Sequence, residues 1–247
     1  LELPGGIVTP GWFDLRPHVA RLPWPDVRGR RCLDVGTYDG FYAFELERRG
    51  ASEVVALDLA DHTSWDWPLA ARSRGPEGLA ELAGEKGAGF LAAREALGSS
   101  VDRRQLSVYE LSPERVGSFD VVVCGSLLLH LRDPVRALEA IRSVCHGWFL
   151  SIEEVSLYLS ARSPRRPAAE MRFSESLCQW WVVNLAGHRR MLEIAGFAPT
   201  RHFGPYQERY GEAHPAYQDA GGRPRPWRRG VLHAAWLAER RDHGTQL

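Results

Sequence analysis

Lysine is nearly missing from this chain. Of 247 residues only Lys86 is a lysine, and arginine carries the rest of the positive charge, a bias read here as a compositional habit with no site attached. Net charge is missing too, since 31 basic side chains offset 31 acidic ones. That balance gives no general attraction to phosphate polymers or anionic lipid, so neither nucleic acid nor a membrane is an expected partner. No apolar run reaches the roughly 20 residues that span a bilayer, and no basic-then-apolar leader opens the chain. A cytoplasmic protein is expected. The four cysteines, at 32, 124, 145 and 178, lack the paired short spacings of zinc sites and read as reduced, structural thiols. Asp61, His62 and Asp66 match no metal-binding loop, so no metal is expected. Hydrophobic residues at 44% and charged residues at 25% are ordinary globular values, which excludes a disordered or fibrous chain.

What is present is a strand, a turn, a helix and a strand. Arg31-Cys32-Leu33-Asp34-Val35 is a short apolar run containing an acid. It turns through Gly36-Thr37-Tyr38-Asp39-Gly40, continues as a helical segment to Gly50, and returns as Val54-Val55-Ala56-Leu57-Asp58. In open α/β sheets a glycine turn at a strand end lets a nucleotide approach the backbone, and an acid after the next strand accepts from ribose hydroxyls. The turn lacks the Gly-x-Gly-x-x-Gly of dinucleotide sites, which argues against NAD or FAD. A nucleoside cofactor of another kind is implied.

One domain over residues 1–247 is expected. Residues 1–30, broken by five prolines, still hold Trp12, Phe13 and Trp24 and read as an arm or lid packed over the domain. Residues 69–87 read as a loose connection. Later strands are expected at Gln105–Leu111, Ser118–Gly125, Trp148–Val155, Phe197–Phe203 and Val231–Leu237, with helices through Phe90–Leu97, from Pro134 with Asp133 as its cap, and from Trp181 to Ala195. Segments 157–180 and 204–230 are too long for simple loops and read as cap insertions.

The order Asp34, Gly36, Gly40, Asp58 resembles the first two motifs of class I S-adenosylmethionine-dependent methyltransferases. Phe119-Asp120-Val121-Val122, Leu129-His130-Leu131-Arg132-Asp133-Pro134, and Trp180-Trp181 with Asn184 before Ala195-Gly196-Phe197 resemble the branch that includes the carboxymethyltransferase of tRNA wobble uridine. The resemblance implies a Rossmann-like α/β fold: a mostly parallel seven-stranded sheet, helices on both faces and an antiparallel last strand. It implies S-adenosylmethionine as cofactor and S-adenosylhomocysteine as product. Gly36, Thr37, Tyr38 and Gly40 would pass close to the methionine and ribose, Asp58 with Leu59 would take the ribose hydroxyls, and Asp34 would lie nearer the amino-acid portion. Tyr38 departs from the family, which has a further glycine there. By the same analogy Tyr109 and Glu110 are the candidates for reading adenine, Gly125 and Ser126 line the pocket, and Trp12 matches an aromatic that closes over the cofactor. The tRNA enzyme differs in a larger amino-terminal region, in a tyrosine where this chain has Leu129, and in early lysines, for which only Arg16 or Arg229 offers a substitute.

Methyl transfer needs alignment and exclusion of water more than acid-base apparatus, but a hydroxyl acceptor gains from a base. His130, just beyond the fourth strand, is the candidate, with a structural or cofactor-shell role as the alternative. Trp180, Trp181, Asn184, His202 and Tyr206 are the candidates for holding substrate, the tryptophans reading equally as core. The expected function is methylation of a small molecule, most simply O-methylation of a hydroxylated natural-product intermediate. The rivals are tRNA wobble-uridine modification with a carboxylated S-adenosylmethionine, and a catalytically silent cofactor-binding module.

Overall fold

The computed structural model describes residues 1–69, 86–174, 178–214 and 229–241. The proline-broken arm makes three two-residue strands, β1 (Glu2–Leu3), β2 (Ile7–Val8) and β3 (Phe13–Asp14), and a short helix α1 (Arg16–Val19). The expected βαβ unit follows as β4 (Arg31–Val35), α2 (Phe41–Arg48) and β5 (Glu53–Asp58). Next come α3 (Ala88–Leu97), β6 (Asp102–Gln105), α4 (Pro113–Val116), β7 (Phe119–Gly125), α5 (Pro134–Val144) and β8 (Cys145–Glu154). The chain continues through α6 (Leu157–Arg162), a hairpin of β9 (Ala169–Ser174) and β10 (Gln179–Val183), α7 (Leu185–Ile194), β11 (Phe197–Tyr210) and β12 (Gly230–Arg240). Most of the 69–87 connection and of the 204–230 insertion lies outside the described residues.

The main sheet has eight strands in the order β3-β11-β12-β8-β7-β4-β5-β6. Neighbours from β8 to β6 run parallel, and β12 lies antiparallel between β8 and β11. Seven of these strands are the expected ones. The eighth, β3, pairs Asp14 with Arg209 and Phe13 with Tyr210 at the sheet's edge. Two residues are too few to show an alternating pattern, so this strand exists only because β11 offers it an edge. The chain order switches direction between β4 and β7, which opens a crevice beyond their carboxyl ends.

Strand alternation divides the core into two layers. Leu33, Val35, Val122 and Phe149 face α5 and α7, while Cys32, Val121, Val123 and Leu150 face α2 and α3. All four cysteines are buried, and none forms a disulfide among the described residues.

Two element assignments differ from the sequence expectation. The third strand ends at Gln105, opposite Asp58, and Ser107 Oγ then accepts from Tyr109 N at 3.3 Å, so a side chain–backbone turn wins over continued pairing. Trp180 and Trp181 lie on β10 and not on a helix. Their aromatic and β-branched run finds a partner in β9, a pairing that sequence periodicity does not show.

The helix begins instead after Asn184, which corrects the placing of that residue among the substrate ligands. Asn184 is fully buried. Its Oδ1 accepts from Gly187 N at 2.7 Å and Ala168 N at 3.0 Å, and its Nδ2 donates to the Ser163 and Arg166 carbonyls at 2.9 Å each. Both donors and both acceptor sites are spent on the chain, so none remains for a ligand. Asn184 therefore caps α7 and ties the segment after α6 to it. Asn184→Ala is expected to cost about 2–4 kcal/mol, from the lost cap and the stranded partners. Urea unfolding checks this, and a loss under about 1 kcal/mol would show that the brace is not needed.

Candidate functional site

The turn after β4 is shaped by two left-handed glycines. Gly36 has φ +74° and Gly40 has φ +89°. A Cβ on Gly40 would meet the Phe44 ring at 2.5 Å and the Phe90 ring at 2.7 Å, so the α2 start packs too closely for any side chain. Tyr38, where the family pattern has glycine, also takes a left-handed φ of 48°, at a cost of about 1–2 kcal/mol for an L residue. Something has to hold it there. Its N–H donates to Asp58 Oδ2 at 2.8 Å.

Asp58 is the centre of this end of the sheet. Its Oδ1 accepts from Leu59 N at 2.7 Å and lies 2.6 Å from Lys86 Nζ. The Lys86 side chain is only 2% exposed, and its ammonium lies 5.5 Å from the Tyr38 ring centre and 5.7 Å from that of Trp65. Burial pushes the Lys86 amine below its ordinary range, and the Asp58 carboxylate opposes that shift. A carboxylate has about four lone-pair sites, and three here have partners. Asp34, beneath the same turn, accepts from Thr37 Oγ1 at 2.7 Å, and burial raises its carboxyl to about 7.

His130 closes a 3₁₀ turn, Leu128–His130, just past β7. Its Nδ1 lies 3.1 Å from the Cys178 carbonyl. A carbonyl only accepts, so Nδ1 carries the proton and the lone pair resides on Nε2. Gly125 ends β7 and Ser126 follows it before this turn, and a Cβ on Gly125 would meet Ile152 at 2.9 Å. Beside the turn, Asp66 clamps the loop after β5. Its Oδ2 takes the Tyr109 hydroxyl at 2.7 Å and Arg132 N at 2.8 Å, and its carbonyl takes Trp180 Nε1 at 2.8 Å.

This network reassigns several expected ligands. The Tyr109 hydroxyl is spent on Asp66 and on Asp133 N at 3.1 Å, and Glu110 pairs with Arg115 at 3.0 Å on the surface. Trp180 is a clamp, whereas Trp181 lines a cavity of about 210 Å³ with Glu153, Glu154 and His188. Trp12 packs edge-on to His214 at 5.6 Å, at the edge where β3 meets β11. The sheet order puts β12, β8, β7 and β4 between that edge and Asp58, which removes Trp12 from the ribose end. His202 is exposed at mid-strand, 4.5 Å from the Trp236 ring, because the carboxyl end of β11 lies eight residues further on at Tyr210. Tyr206 does reach the strand ends, buried 4.7 Å from His18 and opposite His233.

Four groups were missed. Lys86 carried a signal, as the single lysine of an arginine-rich chain. Glu153 and Glu154 end the apolar run of β8 much as Asp58 ends β5, whereas Glu208 lies in a polar stretch of β11 that carries no such signal. Glu153 Oε1 accepts from Leu127 N at 3.2 Å and Leu128 N at 3.1 Å, and burial raises its carboxyl to about 8. Glu154 pairs with Arg172 at 2.9 Å. Glu208, also raised by burial to about 8, lies 3.5 Å from His233 Nδ1, and burial lowers that imidazole to about 4. Among the described residues no group of three or more His, Cys, Asp or Glu side chains is placed to hold a metal ion, and no helix is long and apolar enough to cross a membrane.

Comparison with known proteins converges on one family. Residues 13–202 match the family described as a methyltransferase domain. The chain is 26% identical over 191 residues to a tRNA U34 carboxymethyltransferase of Pseudomonas paraeruginosa, covering 77% of this chain and 50% of that protein. It is 30% identical over 129 residues to a ubiquinone biosynthesis O-methyltransferase of Acinetobacter baumannii, covering 50% and 45% respectively. The chain thus spans about half the length of these curated relatives. Its fold is similar to that of Burkholderia thailandensis 1,6-didemethyltoxoflavin-N1-methyltransferase, solved with S-adenosylhomocysteine (TM-score 0.56, 18% identity, 92% of this chain and 78% of that one). A similar fold is found in an S-adenosylmethionine-dependent methyltransferase from Mesorhizobium loti (TM-score 0.52, 18% identity, 88% and 94%). With the glycine turn, the strand-end acid and the mostly parallel sheet, this match over most of the chain places the protein in the S-adenosylmethionine-dependent methyltransferase family.

Proposed function

We propose that this protein transfers a methyl group from S-adenosylmethionine to a hydroxyl of a small molecule, with Asp58 holding the ribose and His130 as base. The observation that carries the reading is the Asp58 carboxylate, fixed by two backbone N–H groups at the end of β5 beside the left-handed turn. The donor set fits a ribose. One remaining lone-pair site of Asp58 accepts one hydroxyl, and the second hydroxyl meets the Lys86 ammonium, which can donate to it. Gly36 takes a left-handed φ, and a Cβ there would crowd the Leu127 side chain at 3.2 Å, so the turn favours glycine.

S-adenosylmethionine, when bound, would supply an electrophilic sulfonium methyl for the acceptor oxygen, with the thioether as leaving group. His130 Nε2 receives the proton that leaves the hydroxyl, and the resulting imidazolium is held by the Cys178 carbonyl at Nδ1. The Asp66 clamp ties the segment up to residue 69 that follows β5 to the chain just after the His130 turn, which helps to exclude water from the reacting atoms. Acceptance of a small hydroxylated molecule is supported by the similarity to the ubiquinone biosynthesis enzyme and by the zero net charge. The similarity to the tRNA U34 enzyme over 77% of the chain supports a second reading, an RNA acceptor. An RNA acceptor calls for a clustered arginine face: Arg162 ends α6, Arg165 and Arg166 follow it, Arg229 precedes β12, and Arg223, Arg225 and Arg228 lie outside the described residues. Salt-sensitive retention of tRNA on a filter would favour that reading over the small molecule.

Asp58→Ala is expected to weaken S-adenosylmethionine binding at least about tenfold by calorimetry, since hydrogen bonds to a charged group are lost. Equal affinity would refute the ribose assignment. His130→Ala is expected to slow single-turnover methylation of a phenol acceptor about 10²- to 10⁴-fold with cofactor affinity kept, and an unchanged rate removes the base role. Lys86→Met leaves a buried carboxylate without its cation and is expected to lower stability by about 3–5 kcal/mol in urea unfolding. A change under about 1 kcal/mol would mean that the pair behaves as an exposed one.

A further inference from the structure

The turn that carries His130 has no cap of its own. Leu127 stands at its N-cap position and makes no side-chain hydrogen bond there. The first amides of such a turn have no partner inside it, and Leu128 and Leu129 are only 3% and 6% exposed, so their partner has to come from the protein.

The neighbouring strand supplies it. β7 and β8 run parallel with Gly125 opposite Ile152, which brings Glu153, the next residue of β8, to the level where the chain leaves β7. Alternation along β8 turns Leu150 and Ile152 toward α2 and α3, and Phe149 toward α5 and α7. Glu153 shares the Phe149 side, over which the chain passes from β7 to α5. Its Oε1 accepts from Leu127 N at 3.2 Å and Leu128 N at 3.1 Å, and the Leu129 amide also favours the ionised carboxyl. Burial nevertheless raises that carboxyl to about 8, so the acid form prevails at neutral pH and Oε1, which accepts twice, is its carbonyl oxygen.

Two anchors therefore meet on His130. Its backbone N–H donates to the Leu127 carbonyl at 2.9 Å, which ties the residue to the turn that Glu153 holds. Its ring is set from the other side by the Cys178 carbonyl, 3.1 Å from Nδ1. That bond selects the tautomer only while the turn keeps the imidazole within reach of it.

We propose that Glu153 is a positioning residue for methyl transfer: its Oε1 takes the Leu127 and Leu128 amides and so holds His130 with Nδ1–H on the Cys178 carbonyl and the basic lone pair on Nε2. The inference rests on His130 as base and adds the residue that acts through it. Glu153 itself needs no contact with acceptor or cofactor.

The test reads the His130 imidazole by nitrogen NMR of the full chain labelled at histidine, at neutral pH, with its resonances assigned by their loss in His130→Ala. A protonated Nδ1 and an unprotonated Nε2 are expected. Glu153→Gln keeps the acceptor oxygen and is expected to keep that signature. Glu153→Leu has a similar volume without the acceptor and is expected to lose it, the two nitrogens averaging toward one shift. Glu153→Asp, which withdraws the carboxyl by one methylene, gives the same loss and serves if the leucine variant does not fold. S-adenosylhomocysteine affinity by calorimetry is expected to stay within about threefold in all three. In single turnover of the phenol acceptor used with His130→Ala, Glu153→Leu is expected to be about as slow as His130→Ala, and the double variant no slower, as for groups that act as one unit. The proposal is overturned by an unchanged His130 signature in the leucine or aspartate variant, by its loss in Glu153→Gln, or by a further loss of about tenfold in the double variant. Loss of the signature together with more than about tenfold of cofactor affinity would mark a collapse of the crevice and overturn it as well. An unchanged rate in His130→Ala refutes the base reading alone, since the NMR signature still decides whether Glu153 sets the ring, so the two failures are distinguishable.

Discussion

The strand-end site depends on one buried carboxylate having its charge met. Asp58 sits at the end of β5, where the switch in chain order between β4 and β7 opens the crevice, and it collects the Tyr38 and Leu59 amides and the Lys86 ammonium. Each partner contributes shape as well as charge balance. The bond to Tyr38 holds a non-glycine residue in the left-handed region, which in turn sets the path from Gly36 to Gly40. The bond to Lys86 tethers the start of α3 across the site. A carboxylate so arranged is held in place before any ligand arrives, which suits the ribose role proposed for it.

The other acids around the crevice differ from Asp58 in how burial treats them. Glu153 and Glu208 are pushed up to about 8 and Asp34 to about 7, with desolvation the leading cause in each. These groups hold protons near neutrality, so they offer hydrogen-bond donors where their sequence suggests negative charge. The crevice is therefore far less anionic than a count of its carboxyls suggests, which suits an uncharged acceptor.

The cap is held by side chains that resemble substrate ligands in the sequence. Asp66 ties the loop after β5 to Tyr109, Arg132 and Trp180, and Asn184 ties α7 to the segment after α6. Alternation along β10 then splits the tryptophan pair, sending Trp180 to the Asp66 loop and Trp181 to the cavity. A pair that is one feature in the sequence becomes two unrelated parts in the fold.

By itself the sequence determined the βαβ unit, five further strand positions to within a few residues and the antiparallel closing strand, and its family resemblance implied the cofactor. These rest on local signals: apolar runs, glycine turns and an acid at a strand end, all read within about 30 residues. Only the tertiary structure decided the eighth strand, the β9–β10 hairpin, the pairing of Lys86 with Asp58 and the separation of clamps from ligands. Each of those is a contact between segments distant in the chain, and a lone polar residue gives no local sign of which distant partner will satisfy it. Lys86 is the clearest case: its rarity was visible in the composition, but its meaning required the fold to bring it 2.6 Å from the carboxylate at the end of β5.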